Sequence, residues 1–323
     1  MGKYLIRRVV RGLLTVFVSI TFTFFLLRLI PADPVSMMID PKMSAETVAK
    51  MTAQFGLDKP VLTQYFVYLG QLLQGNFGMS FKNRDLVTTL LLQKLPWTLL
   101  LLGLSVSLAL LIGIPVGIRA AKKRNGAFDR AVNVVTMVGI SIFIPFLSFS
   151  LLYLFGYLLR ILPTGGAYTP PPAKGFAFTV DVLRHAVLPT FTLFIGNCTS
   201  IILYTRNSMI EVQKEDYIRT AYAKGWDERY VTRRHALKNA MIPTITATGI
   251  MISHLMGGAI MTESIYSWPG IGRQIFDAVS TLDYPVLQGA FLFLSATTVV
   301  INILTDLVLA WIDPRVKLGG ARA

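Results

Sequence analysis

Six stretches of the chain, at 12–30, 97–118, 131–159, 186–204, 241–261 and 286–312, are nearly uninterrupted runs of apolar residues. A bilayer core of about 30 Å needs about 20 such residues, because lipid offers no partner to backbone N–H and C=O groups and a helix satisfies them within one segment. The pattern predicts six transmembrane helices. The third and sixth runs exceed the required length, so tilt, a kink at Pro145 or ends that project into the interface are expected. The longest polar segment, 31–96, carries its own helical signals. Ser44-Ala45-Glu46-Thr47 opens a capped helix, and Pro60 begins an amphipathic run with Leu62, Tyr65, Phe66, Leu69 and Leu72 on one side. This segment is expected to pack on the outer membrane face. The segment 160–185 is rich in Gly and Pro and reads as irregular. Trp268-Pro269-Gly270-Ile271-Gly272 forms a turn cluster before a short amphipathic pattern, expected to close the helix ends rather than to dock a partner. The first run follows Lys3, Arg7, Arg8 and Arg11 but ends in Ile30-Pro31-Ala32-Asp33, without a small-x-small cleavage pattern, and is expected to be a retained helix rather than a signal peptide.

Composition agrees with membrane residence. Of 323 residues, 53% are hydrophobic and only 15% charged, against about a quarter charged in a soluble domain. The net charge is +14, and its placement decides the topology. Lys and Arg number four before the first run, five in 119–130, eight in 205–240 and three after 312, whereas the other side holds ten in all. With the acids included, one side is +13 and the other +1. By the positive-inside rule both termini are cytoplasmic. The fold class that follows is an all-α integral membrane protein with six transmembrane helices and a helical outer loop between the first two. Basic residues spread along one membrane face are a topological label, and no nucleic-acid partner is expected.

One cysteine, Cys198, and three scattered histidines, His185, His235 and His254, give neither an intrachain disulfide nor metal-ligand spacing. The nearest approach to a phosphate loop, Gly70-x4-Gly75, is followed by Asn76-Phe77 rather than Lys-Ser/Thr. The chain is expected to carry no catalytic residue and no ATP site.

The segment 205–240 is the most informative. Helix formers run from Glu211 to Lys224 with Glu215 and Asp216 near the start, Gly225 stands where the helix must end, and Asp227 is placed to cap a second helix toward Met241. The result is a helix–Gly–helix elbow. Arg229 and Arg233, like Arg234 and Lys238, are four apart, which suits a basic stripe at lipid headgroups. Asp216 to Gly225 reads DYIRTAYAKG, and Arg234-His235-Ala236-Leu237-Lys238-Asn239-Ala240 and Pro243 follow. This resembles the cytoplasmic signature of binding-protein-dependent ABC importer permeases of the dipeptide/oligopeptide/nickel class. The resemblance covers the chain through Leu29-Ile30-Pro31-Ala32-Asp33-Pro34-Val35, Phe55-Gly56-Leu57-Asp58-Lys59-Pro60, Gly113-Ile114-Pro115-Val116-Gly117, Glu263-Ser264-Ile265-Tyr266-Ser267-Trp268-Pro269-Gly270, Asp283-Tyr284-Pro285-Val286 and Asp313-Pro314-Arg315. Arg219-Thr220-Ala221 stands where the broader permease pattern has Glu-Ala-Ala, a departure that resembles the peptide/nickel subgroup rather than the sugar-type ones.

The resemblance implies one permease domain over 1–323 in a bacterial or archaeal cytoplasmic membrane. It also implies a second, homologous permease, two ABC ATPase subunits that bind ATP and Mg, and an extracytoplasmic substrate-binding protein. In that family the elbow is the coupling helix, seated in a cleft on the ATPase. Glu215, Asp216, Tyr217, Arg219, Thr220, Ala221, Lys224 and Gly225 are the residues expected there, with Ala221, Ala223 and Gly225 allowing close approach and Tyr217 anchoring.

Polar residues inside spans are candidates for a wet path because desolvating them in lipid is costly. Asn197, Thr248, Ser253, His254 and Asn302 are the candidates; for each hydroxyl alone, bonding between helices is the more ordinary use. Two other classes compete. A proton-coupled transporter needs acids along its path, and only Asp306 lies within a span, with Glu263 at an outer end; an intramembrane serine protease would have to rely on Ser141 and His254.

Overall fold

The computed structural model describes residues 2–29 and 58–312. Among them the chain is helical, with only an isolated bridge between Met79 and Leu86. The helices are α1 (Gly2–Leu29), α2 (Val61–Leu73), α3 (Val87–Lys122), α4 (Ala127–Ser141), α5 (Ile144–Leu151) running into a π-helical segment (Leu152–Leu158), α6 (Phe176–Val212), α7 (Asp216–Ala223), α8 (Glu228–Tyr230) followed by a second π-helical segment (Val231–Ala236), α9 (Leu237–Ile265), α10 (Ile271–Ser280) and α11 (Tyr284–Ile312). The helix expected at Ser44 to Thr47 and the turn at Asp313-Pro314-Arg315 lie outside the described residues.

Four helices, Ile6–Leu29, Val87–Lys122, Phe176–Val212 and Tyr284–Trp311, are long and apolar enough to cross a bilayer; two bent pairs raise the candidates to six. The helices outrun the apolar runs. α3 has 36 residues and α6 has 37, or about 55 Å each at 1.5 Å per residue. Apolar runs mark where lipid contact stops. The backbone ladder continues into water until a cap or a breaker ends it.

The third run, 131–159, is not one helix. It breaks between Ser141 and Ile144, and its two halves meet at 95°. Pro145 has no N–H to give the Ser141 carbonyl, so the chain leaves the helix through extended Ile142 and Phe143 and restarts with the proline in its first turn.

α6 is the most enclosed of the long helices, while α1 and α11 form the edge. α3 lies along α6 through Gly113 and Gly117. A Cβ on Gly113 would sit 2.9 Å from the Ile201 side chain, and one on Gly117 the same distance from the Ile202 carbonyl oxygen. Both contacts are closer than a side chain allows, so the glycines set how tightly these helices approach. The Gly257-Gly258 pair likewise suits close helix packing by its small size, but its side-chain surroundings lie outside the described residues.

Ion pairs tie elements together on the basic side. Asp129 of α4 is buried and bidentate to Arg206 of α6, at 2.5 and 2.8 Å, and accepts the Asn125 N–H as well. Asp306 pairs with Arg8 across α1 and α11. Asp306, the one acid within the six apolar runs, therefore faces a cation of its own chain.

α2 turns out differently from its pattern. Tyr65 is buried, with Tyr68, Leu69 and Leu72 partly so, while Leu62 and Phe66 are exposed. Phe24 of α1 selects this face. Its ring lies 5.2 Å from that of Tyr65 and 5.5 Å from that of Tyr68, and the Tyr65 and Thr21 hydroxyls share a 2.8 Å hydrogen bond. Tyrosines satisfy both the apolar contact and the polar one, which Leu62 and Phe66 cannot.

Candidate functional site

The elbow begins where α6 runs out. Backbone N–H groups of Lys214 and Glu215 reach the carbonyls of Glu211 and Val212 in tightened turns, and the chain then restarts as α7 at Asp216. The single helix expected from Glu211 to Lys224 is thus two, broken by the turns at residues 213–215. α7 is amphipathic. Ile218 is 1% exposed and Ala221 4%, and both pack with Ala121, Met209, Val231, Ala236 and Ala240 from the surrounding helices. Full burial of the isoleucine contributes roughly 2 kcal/mol, enough to hold an eight-residue helix that would not persist alone.

The other face is open. Glu215, Asp216, Tyr217, Arg219, Thr220, Tyr222, Ala223 and Lys224 are exposed. Ala221, expected to let a partner approach, instead faces the chain's own helices, because position 221 falls on the same face as Ile218. Tyr217 is exposed, and its hydroxyl accepts a 2.8 Å hydrogen bond from the Asn239 amide, which pins α7 to α9. The Asp216–Arg219 pair, at 3.6 Å and fully in solvent, contributes little. The Tyr222 phenol titrates above its usual range, through desolvation first and the nearby Glu228 second.

Gly225 ends the helix as its position indicates. Its φ is +82°, its N–H bonds the Tyr222 carbonyl at 2.9 Å, and the Lys224 N–H bonds that of Thr220. Glu215 and Asp227 occupy the N-cap positions of α7 and α8, but neither side chain makes a capping hydrogen bond. Trp226 stacks on His235 at 4.8 Å and meets Tyr230 edge-on at 4.7 Å, closing the elbow on its far side. Arg229, Arg233 and Arg234 line a shallow exposed cleft with Asp227 and Tyr230. The π-helical turn at Val231–Ala236 adds backbone per turn, so the four-residue spacing does not make a straight stripe.

The five path candidates do not form one site. The Ser253 hydroxyl of α9 lies within hydrogen-bond distance of both the Gly249 carbonyl of its own helix and Asn302 Oδ1 of α11, at 3.1 and 3.3 Å, so Ser253 and Asn302 meet. Thr248 spends its hydroxyl on the Thr244 carbonyl at 2.8 Å. Asn197 is buried on α6, its Nδ2 without a partner among the described residues. His254 is exposed on α9, on the same face as Ile250 and Met261, rather than bonded to a neighbouring helix. Ser141 returns its hydroxyl to the Met137 carbonyl of its own helix.

Two buried acids, Glu263 and Asp283, fasten turns to helices although no helical or polar pattern in the chain singles them out. Glu263 is fully buried and accepts from the Thr98 hydroxyl at 2.8 Å and the Arg273 N–H at 3.1 Å; Thr98 in turn accepts the Ile271 N–H at 2.9 Å. This joins α3, α9 and the start of α10. Trp268, also fully buried, donates its indole N–H to the Trp97 carbonyl at 3.0 Å. The 266–270 turn therefore closes on its own chain, as its pattern suggested. Asp283 accepts from the Ser80 hydroxyl and from the backbone N–H groups of Phe81 and Lys82, which fastens the loop before α3 to the start of α11. The available signal was each acid's place beside a glycine or proline turn: a Cβ on Gly272 would stand 2.8 Å from a Glu263 carboxylate oxygen.

Residues 113–318 match the family described as binding-protein-dependent transport system inner membrane component, and residues 1–102 match the N-terminal membrane component of the same systems. A putative peptide permease protein of Brucella suis is 41% identical over 322 residues, covering 98% of this chain and 100% of the relative. The oligopeptide transport system permease protein AppB of Bacillus subtilis and the glutathione transport system permease protein GsiC of Salmonella typhi are each 34% identical, with 98% of this chain covered and 100% and 99% of theirs. The inward-facing MetNI methionine ABC transporter shares the fold at a TM-score of 0.56 and 18% identity, over 69% of this chain and 96% of that one. Matched in both halves and along its length, the chain belongs to the inner membrane components of binding-protein-dependent transport systems, the permeases of ABC importers.

Proposed function

We propose that this permease crosses a bacterial or archaeal cytoplasmic membrane six times with both termini inside. It forms half of a translocation path with a second, homologous permease. Two ABC ATPase subunits, which bind ATP and Mg, dock on the inner face, and a substrate-binding protein docks outside; no cofactor resides on this chain. The solute is a peptide or a related small molecule such as glutathione, an opine, a sugar or nickel.

The observation that carries this reading is α7, a short helix fastened by Ile218, Ala221 and Tyr217 to both α6 and α9 while its other face is open. A lever of this kind transmits motion only if it is stiff at its roots and accessible at its tip. Closure of the ATPases on ATP would move α7, and α6 and α9 would follow as packed elements with discrete arrangements. The exposed face of α9 that carries Ile250 and His254 is then the surface turned toward the path and the second permease. The charge difference of +13 against +1 supports the orientation.

Reconstitution of this chain with its partners tests the reading. Uptake is expected to need both ATP and the binding protein. Uptake by this chain alone, driven by a proton gradient, would refute it.

A further inference from the structure

At the end of α1 away from the basic elbow, a cavity of about 370 Å³ opens between α1, α2, the loop before α3 and the start of α11. Its polar lining includes Arg28, Lys59, Tyr68, Asn76 and Gln288, and no carboxylate among the described residues lines it. The volume falls in the ordinary range of small-ligand sites.

Arg28 is held for binding. Its guanidinium lies 3.5 Å above the Phe24 ring, Nη1 donates to the Phe24 carbonyl, and Nε donates at 2.9 Å to the Gln64 amide oxygen. Gln64 is itself fixed by donating to the Lys59 carbonyl at 2.8 Å. That leaves Nη2 with no acceptor among the described residues. Gln288 is 7% exposed, and its amide nitrogen has no hydrogen-bond partner among the described residues. Burial keeps the Tyr68 phenol protonated, hence a donor. A pocket with two cations and several N–H and O–H donors fits a phosphate.

The rim identifies the source. α1 and α11 are the least enclosed of the long helices. α2, at 13 residues, is too short to span a bilayer, yet exposes Val61, Leu62, Phe66, Val67 and Leu73, and Val67 also lines the cavity. An apolar ledge continuous with a cationic pocket suits a headgroup whose acyl chains lie along the ledge. We propose that this cavity binds the phosphate of an anionic phospholipid from the surrounding bilayer.

The test uses the full chain, purified in mild detergent with phosphatidylglycerol and examined by native mass spectrometry. One retained phosphatidylglycerol is expected. Arg28→Gln should lower its occupancy about tenfold, the effect of removing a charged hydrogen-bond donor. Gln288→Glu, nearly isosteric, should lower it comparably by placing like charge in the pocket. Arg28→Lys should retain more than Arg28→Gln, and Lys174→Gln, in an outer loop, should change nothing. Thermal unfolding confirms that each variant is folded; should Arg28→Gln not fold, Gln288→Glu carries the test. Equal retention in the wild type and a folded pocket variant would overturn the proposal. So would stabilisation of the delipidated chain by millimolar inorganic phosphate but not by phosphatidylglycerol, because the ligand would then be the free ion.

Discussion

Gly225 separates backbone strain from steric contact. Its φ of +82° lies in the left-handed region, and an added Cβ would have no atom within 4 Å. Any cost of substitution is therefore conformational. An L-residue in this region costs roughly 1–2 kcal/mol, most for a β-branched one and least for Asn, whose side chain tolerates left-handed geometry. Only Ile218 and Ala221 are buried in α7, so a loss of that size is comparable to what holds it. Since 1.4 kcal/mol is tenfold in an equilibrium constant, Gly225→Val is expected to shift the docked elbow's equilibrium about tenfold or more toward detachment. The assay measures ATP hydrolysis and solute uptake in the same reconstituted vesicles. Gly225→Val should lower uptake per ATP hydrolysed, Gly225→Ala less, and Gly225→Asn least. Gly75, with φ +76° and equally open surroundings in the segment between α2 and α3, supplies the control: Gly75→Val bears the same strain and should leave the uptake-to-hydrolysis ratio unchanged. Wild-type uptake per ATP in Gly225→Val would refute the reasoning, as would an effect of the same size at Gly75.

Other outcomes follow from buried groups. Glu263→Ala strips the acceptor from Thr98 and from the Arg273 N–H, and should lower unfolding stability by about 3 kcal/mol, measured by thermal unfolding in detergent; an unchanged transition would contradict the anchoring role. Asp129→Leu leaves the partly buried Arg206 without its carboxylate partner and should cost about 1–3 kcal/mol, whereas Asp129→Leu with Arg206→Met should recover most of the loss in the same assay. If the double variant is no better than the single one, the cost is not that of an unpaired charge. Gly117→Leu forces α3 away from the Ile202 carbonyl and should cost about 1–3 kcal/mol, while the same change at Gly103, with nothing near its Cβ, should be close to neutral.

The elbow was legible in the chain because its signals are local. Gly225 needs no neighbour to explain it, since left-handed φ follows from helix termination alone, whereas the break at 213–215 that separates α6 from α7 has no glycine or proline to announce it. The path residues were not legible. Ser253 and Asn302 are 49 positions apart and meet only because α9 packs on α11, and nothing local distinguishes His254, which the packing leaves exposed, from Asn197, which it buries. α2 makes the same point: Leu62 and Phe66 lie on the face that its periodicity selects, but Phe24 and Thr21 of a different helix determine that the tyrosines turn inward.

What the chain determined by itself was therefore set by its solvent and its own backbone. Lipid imposes apolar length on every span, and glycines and prolines end or break helices within a turn of where they stand. Tertiary structure alone decided the pairing of Asp129 with Arg206 and of Asp306 with Arg8, and the burial of Glu263 under Thr98 and α10. These depend on residues 77 to 298 positions apart becoming neighbours. Hydropathy cannot carry that information, because inside a membrane every face of a helix is apolar, and only contact distinguishes the face that meets lipid from the face that meets protein.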